Sequence, residues 1–224
     1  MSRVIILTSS AILLLSYINS VYPHGRLMEP PSRSSLWHFE EYEEFNPPIN
    51  YDDTQLFCGS KEVQYNENGG RCGECGDAWN QTKPRDNENG GLYGNGLIVR
   101  NYTRGQNISV AVELTAPHLG HFEFKVCPLR SSSDVEEQSC FDRYPLQILQ
   151  ESGTEFDNEF PIDNGLGWVN VTATLPSDVT CEHCSLLWYY KTGNSWGDCG
   201  NGTEAIGCGP QEEFRGCADV TILP

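Results

Sequence analysis

The stretch NISVAVEL, residues 107–114, decides the architecture. Ile108, Val110, Val112 and Leu114 alternate with Ser109, Ala111 and Glu113, the period of two that a strand with one buried face requires. Runs of the same character recur at 96–100, 120–126, 168–175, 185–190 and 217–223, each rich in β-branched and aromatic residues. No stretch holds a helical period for three turns, although 34–45 and 131–143 have room for a short helix. With 22 glycines and 13 prolines among these runs, the expectation is an all-β chain folded as a β-sandwich with long loops and short helices. Residues 66–96, dense in Gly, Asn and Asp, read as surface loops.

What holds such loops is written in the cysteines. Cys58, Cys72, Cys75, Cys127, Cys140, Cys181, Cys184, Cys199, Cys208 and Cys217 make an even set, and in an oxidising compartment they read as five disulfides. Cys72/Cys75 and Cys181/Cys184 have the C-x-x-C spacing of zinc ligands, but the interval between the pairs far exceeds the roughly 15 to 20 residues of a zinc module. Bridges are therefore favoured, and their pairing stays open. Five sequons, at Asn80, Asn101, Asn107, Asn170 and Asn201, fit the same compartment, and any that carry sugar must face solvent.

The chain begins as an exported protein does. Arg3 precedes an apolar run from Val4 to Leu15, interrupted only by Thr8, Ser9 and Ser10, and a more polar end follows. Residues 1–23 read as a secretory signal peptide, too short to span a bilayer comfortably, and 24–224 as one secreted domain of ordinary size. Loss of the leader removes Arg3 and no acid, taking the formal charge from −17 to −18. Such a surface disfavours nucleic acid and anionic membranes and leaves neutral polysaccharide open as a partner.

The cleavage point matters because His24 stands at it. A histidine at a free N-terminus offers its α-amine and its ring Nδ1 to one metal ion, and a second imidazole can complete a planar nitrogen set suited to Cu(II). Small residues are expected before a scissile bond, so a cut after Ser20 is chemically easier than one after Pro23. That cut would leave Val21, Tyr22 and Pro23 ahead of the histidine and block its amine. Of the other histidines, His38 reads as a surface residue and His183, between two cysteines, as structural. His118 lies in the loop before a strand and His121 in the strand itself, which favours His118 without excluding His121.

Three motifs then combine. The opening HGRLMEPPSRSSLW, the segment TAPHLGHFEFKVCP and the closing QEEFRGCADVTI resemble the lytic polysaccharide monooxygenases of auxiliary activity family 15, and more distantly the bacterial chitin-active enzymes. The likeness runs from His24 to the C-terminus. It implies an immunoglobulin-like sandwich carrying one copper on a flat face, held by His24 and by His118, which matches the family's Ala-x-His through Ala116. It places Phe214 on the axial side of the metal, where some relatives carry Tyr; a phenyl ring fills that space but donates no electrons. Ala116 would crowd the opposite side, and Gln211, Glu212 or Glu213 would supply a hydrogen bond close to the metal.

The implied reaction needs an external reductant and O2 or H2O2. Hydroxylation at C1 or C4 of a glycosidic linkage then breaks the polymer, chitin being favoured over cellulose and the enzyme a monomer. Copper binding must displace the proton of the α-amine, so affinity is expected to fall with pH. Trp37, Tyr42, Tyr51, Trp79, Tyr93 and Trp196 lie in loop-like regions where they could stack on sugars, whereas Trp188, Tyr189 and Tyr190 read as core. Two other classes compete. A glycoside hydrolase needs a carboxylate pair at a set separation, and a non-catalytic chitin-binding or cuticle protein would need no free terminal histidine.

Overall fold

The computed structural model describes residues 24–116, 118–149, 158–163 and 165–224; the leader at 1–23 lies outside the described residues. Two β-sheets face each other. The four-stranded sheet runs β1 (His24–Glu29), β3 (Asn107–Ala116), β7 (Gly167–Thr174) and β5 (Gln147–Leu149) in spatial order, all antiparallel. The five-stranded sheet runs β2 (Arg100–Thr103), β11 (Glu213–Leu223), β8 (Cys181–Thr192), β4 (Gly120–Leu129) and β6 (Phe160–Ile162). Only the β2–β11 pair is parallel. A small hairpin, β9 (Trp196–Asp198) with β10 (Glu204–Ile206), stands apart from both.

Alternation puts the apolar side chains between the layers. Ile108, Val110, Val112 and Leu114 from β3 are buried against Phe122, Phe124, Trp188 and Tyr190 from β4 and β8. The outer face of the five-stranded sheet carries a second, smaller cluster in which Leu129, Phe141 and Leu187 pack with the Cys75–Cys217 and Cys127–Cys140 bridges. Cys58–Cys72, Cys181–Cys184 and Cys199–Cys208 complete the set, so every cysteine is oxidised. Neither C-x-x-C pair is a zinc ligand set.

Residues 66–96 depart from the expected surface loops. Asn68, Glu74, Asp77, Arg85, Asn87, Glu88 and Asn89 are all buried. Polarity misleads here because the charges are paired inside: Arg85 bonds both Glu74 and Glu88, and Asp77 takes two hydrogen bonds from Asn87. Arg33 extends the network. It forks onto Asp219 of β11, reaches Glu136 at 2.7 Å and donates to the Asn87 carbonyl. One buried guanidinium thus fastens three loops to the sheet, as a polar group removed from water requires partners.

Other expectations shift by degree. The short helix at 34–45 is two tight 3-10 turns, Arg33–His38 and Glu40–Phe45, and that at 131–143 shrinks to one turn, α1 (Gln138–Phe141). The run at 96–100 joins a sheet only at Arg100. β1 itself is a strand that the sequence did not announce, because its buried positions do not alternate regularly. All five sequon asparagines are exposed. Among the described residues no helix is long and apolar enough to cross a membrane.

Candidate metal centre

His24 opens β1, the edge of the four-stranded sheet, and pairs with Ala116 at the end of β3. The strand can enter there because the next residue is glycine. A Cβ on Gly25 would lie 2.8 Å from Leu114 Cδ2 and 3.2 Å from both the Glu113 carbonyl and Trp188 Cη2. The Gly25 N–H donates to Thr54 at 3.0 Å, which binds the loop carrying Tyr51 against this edge.

Directly after Ala116 the chain leaves one sheet for the other, since β4 begins at Gly120. His118 lies in that short crossing, two residues beyond the partner of His24. Its backbone is held from below: the Tyr190 hydroxyl accepts the His118 N–H at 3.0 Å and donates to the His118 carbonyl. Gly193 N–H reaches the Leu119 carbonyl. Gly120 has φ +131°, and any Cβ there would collide with the Lys191 carbonyl, so the crossing tolerates no side chain at that point.

Phe214 pairs with Tyr190 across β11 and β8, and Tyr190 pairs in turn with Phe122 on β4. Their rings form a row, with Tyr190 4.9 Å from Phe122 and 6.0 Å from Phe214, and Phe214 stacked on Phe57 at 5.6 Å. Phe214 is therefore a buried residue that packs on Tyr190, the residue that holds the His118 backbone. Burial pushes the Tyr190 phenol up to about 12, against the pull of its His118 backbone bond.

The three polar residues before it diverge. Gln211 is buried and spends its amide on Ser195 and Cys208, clamping the base of the β9–β10 hairpin. Glu213 binds Arg215 at 3.1 Å and lies beside the Tyr65 hydroxyl. Glu212 is the one whose carboxyl is subject to the charge of His24. Burial raises its carboxyl above the usual range, opposed by the charges of Lys61 and His24.

The remaining histidines fall elsewhere. His38, read as a surface residue, is half-buried: its ring bonds Asp53 at 2.8 Å beside Arg26 of β1. His183 bonds Asp219 at 2.7 Å. His121 points outward from β4 next to Glu123. Among the loop aromatics, Tyr42 is buried and bonded to the Val99 carbonyl, and Trp79 lies under the Arg71 guanidinium. Tyr51 at 82% and Trp196 at 63% are the exposed ones. Trp196 shares a surface cleft of about 680 Å³ with Glu212, Phe57 and Tyr65. Sequence reasoning took Tyr190 as core by default, with an electron-hole path as the other reading; nothing in a strand pattern signals that its hydroxyl reaches a neighbouring loop.

The donors gathered at this end suit copper. No thiol is available, since every cysteine is bridged, and the ligand types on offer are imidazole, carboxylate and, once residue 24 is the first, an amine. Nitrogen donors of that kind favour Cu(II) over calcium or magnesium.

The family comparisons agree. Residues 24–220 match the family model described as lytic polysaccharide mono-oxygenase, cellulose-degrading. The chain belongs to the lytic polysaccharide monooxygenases, copper-dependent oxidoreductases that act on polysaccharide with a reductant. Its likeness is of the auxiliary activity family 15 type: it is 46% identical to the AA15 lytic polysaccharide monooxygenase from Thermobia domestica, solved in the Cu(I) state, with a TM-score of 0.83 over 89% of this chain and 99% of that one. A polysaccharide monooxygenase of the CBM33 type, at 14% identity and TM-score 0.48, and a cellulose-active enzyme in complex with copper, at 18% and 0.41, are remote. They cover 89% and 88% of this chain, and 99% and 98% of their own. No curated protein matches. Family membership sets aside the hydrolase and the passive cuticle protein.

Proposed function

We propose that the amine and ring of His24 and the ring of His118 hold the copper, and that the enzyme attacks crystalline polysaccharide, chitin ahead of cellulose, at C1 or C4. Residues 1–23 are then a secretory leader, removed outside the cytosol to free His24, and residues 24–224 the catalytic domain of a secreted monomer. The observation that carries this reading is the β1–β3 register, in which His24 faces Ala116 and so stands beside the crossing that bears His118.

Copper bound there supplies one-electron chemistry with O2 or H2O2. The chain supplies the geometry. Tyr190 fixes the His118 peptide on both its hydrogen-bonding sides, and Phe214 fills space below it without offering a donor. Ala116 brings only a methyl group close to His24. Glu212, rather than Gln211 or Glu213, is the candidate for the hydrogen bond close to the metal, because the other two side chains are engaged by Ser195 and Arg215. Tyr51 and Trp196, exposed on the elements that adjoin Gly25 and Glu212, are the aromatic faces available to sugar rings.

The test is the mature N-terminus together with product analysis. Secreted protein beginning at His24 should release oxidised chitin fragments only with copper and a reductant, and His118→Ala should abolish both release and tight copper binding. Material beginning at Val21, or a His118→Ala protein that binds copper as tightly as the parent, overturns the ligand assignment. Oxidised fragments from cellulose but not chitin would overturn the substrate order alone.

A further inference from the structure

We propose that His121, Glu123 and Glu159 form a second divalent-cation site, of the zinc class, on the outer face of the five-stranded sheet. The site is independent of the copper ligands assigned above. One donor atom from each of the three residues lies within 4.8 Å of the other two. His121 Nε2 is 3.5 Å from Glu123 Oε1 and 3.8 Å from Glu159 Oε1. A tetrahedral ion with ligand bonds of about 2.1 Å holds neighbouring donors about 3.4 Å apart, so the imidazole already stands within a few tenths of an ångström of that spacing from each carboxylate, and the two carboxylate oxygens, within 4.8 Å of each other, draw together on the ion.

Strand register explains why they converge. His121 and Glu123 are two apart on β4 and share its outward face. β6 pairs antiparallel with His121 opposite Pro161 and Phe122 opposite Phe160. Extending that register by one residue sets Glu159 opposite Glu123. Two carboxylates directly across a strand pair repel and weaken the pairing, and β6 is a three-residue edge strand with little else to hold it. A cation between them turns that repulsion into a tether.

The surroundings orient the ligands as well. Lys125 Nζ sits 3.0 Å from Glu123 Oε2 and 3.2 Å from Asp142 Oδ1. It thereby occupies one oxygen of Glu123 and leaves Oε1 turned to His121, the arrangement by which outer groups aim metal-binding carboxylates. Its charge also opposes the ion, which places affinity below that of a closed structural zinc site. Calcium is disfavoured, because it prefers six to eight oxygen donors and this set has an imidazole. Glu159 is mostly exposed, giving the ion an entry path.

The experiment uses secreted protein already carrying one copper, equilibrated with micromolar Zn(II) and analysed for both metals. One zinc per chain beyond the copper is expected. His121→Ala and Glu159→Gln should each weaken zinc binding at least about tenfold while copper content and the zinc-free unfolding midpoint stay unchanged. The proposal is overturned if the parent takes up no zinc, if uptake is matched by copper loss, or if His121→Ala binds zinc as well as the parent. Loss of copper instead of zinc from His121→Ala overturns it too. Should His121→Ala fold poorly, Glu159→Gln, altered at an exposed side chain, decides.

Discussion

The hydroxyl of Tyr190 serves both backbone groups of His118, accepting its N–H at 3.0 Å and donating to its carbonyl. A loop residue is thus fixed by a fully buried strand residue that also packs against Phe122 and Phe214. Removing that oxygen leaves a peptide unit without its partners, at a cost of about 1 to 3 kcal/mol. Tyr190→Phe should therefore keep the fold but loosen His118. Copper affinity is expected to drop roughly tenfold, with an altered Cu(II) electron paramagnetic resonance spectrum. An unchanged spectrum and affinity would show that the crossing holds its shape without the phenol.

Gly25→Ala tests the edge strand from the other side. The new methyl would press on Leu114, on the Glu113 carbonyl and on Trp188, and overpacking of this kind costs roughly 1 to 3 kcal/mol. The expected result is a lower thermal midpoint and weaker copper binding together, because the strand that presents His24 must shift. Calorimetry of the metal-free and copper-loaded forms separates the two effects.

Asp219 sets a limit at low pH. Burial would raise its carboxyl, but the Arg33 guanidinium and His183 hold it down at about 2. Its depressed value means that its contribution is fully present above the ordinary carboxylate range and is lost as pH falls from about 4 to about 2. That contribution is on the order of 2 kcal/mol. Denaturant midpoints followed across this window should fall steeply for the parent. An Asp219→Asn protein should start lower and fall less, and parallel curves would refute the assignment.

Trp196 stands out on the hairpin that Cys199–Cys208 closes, its indole N–H donating to Glu204 at 3.1 Å. Trp196→Ala should reduce adsorption to chitin several-fold while leaving copper affinity and the thermal midpoint unchanged, since the ring covers little of the core. Adsorption isotherms with parent and variant measure this directly.

Much of the sandwich was legible because alternation is a local signal. The period of two in 107–114 names the buried face of β3 without reference to any partner, and the same holds for β4, whereas β8 is an unbroken apolar run buried on both faces. The ligand set proposed for the copper was drawn from linear features, a histidine after an apolar leader-like run and an Ala-x-His motif. What stayed hidden depends on residues far apart in the chain. Gln211 and Glu213, which read as equal to Glu212 in sequence, are drawn away to Ser195 and Arg215. Residues 66–96 read as solvent-facing because their charges look unpaired in sequence, while Arg33 and Arg85 meet their partners only after folding. His38 was misread for the same reason, its acidic partner lying fifteen residues on, across a turn.

The ladder of β1 begins at His24 itself, on an edge of the sheet. The pairing that closes this edge thus runs through the backbone from His24 onward. With His24 as a ligand, a precursor that kept Val21, Tyr22 and Pro23 would be a complete but dormant molecule, stable yet short of one nitrogen. Assembly and activation would then be separate events, and the cutting of a single peptide bond, not the folding of the chain, would start the oxidative clock.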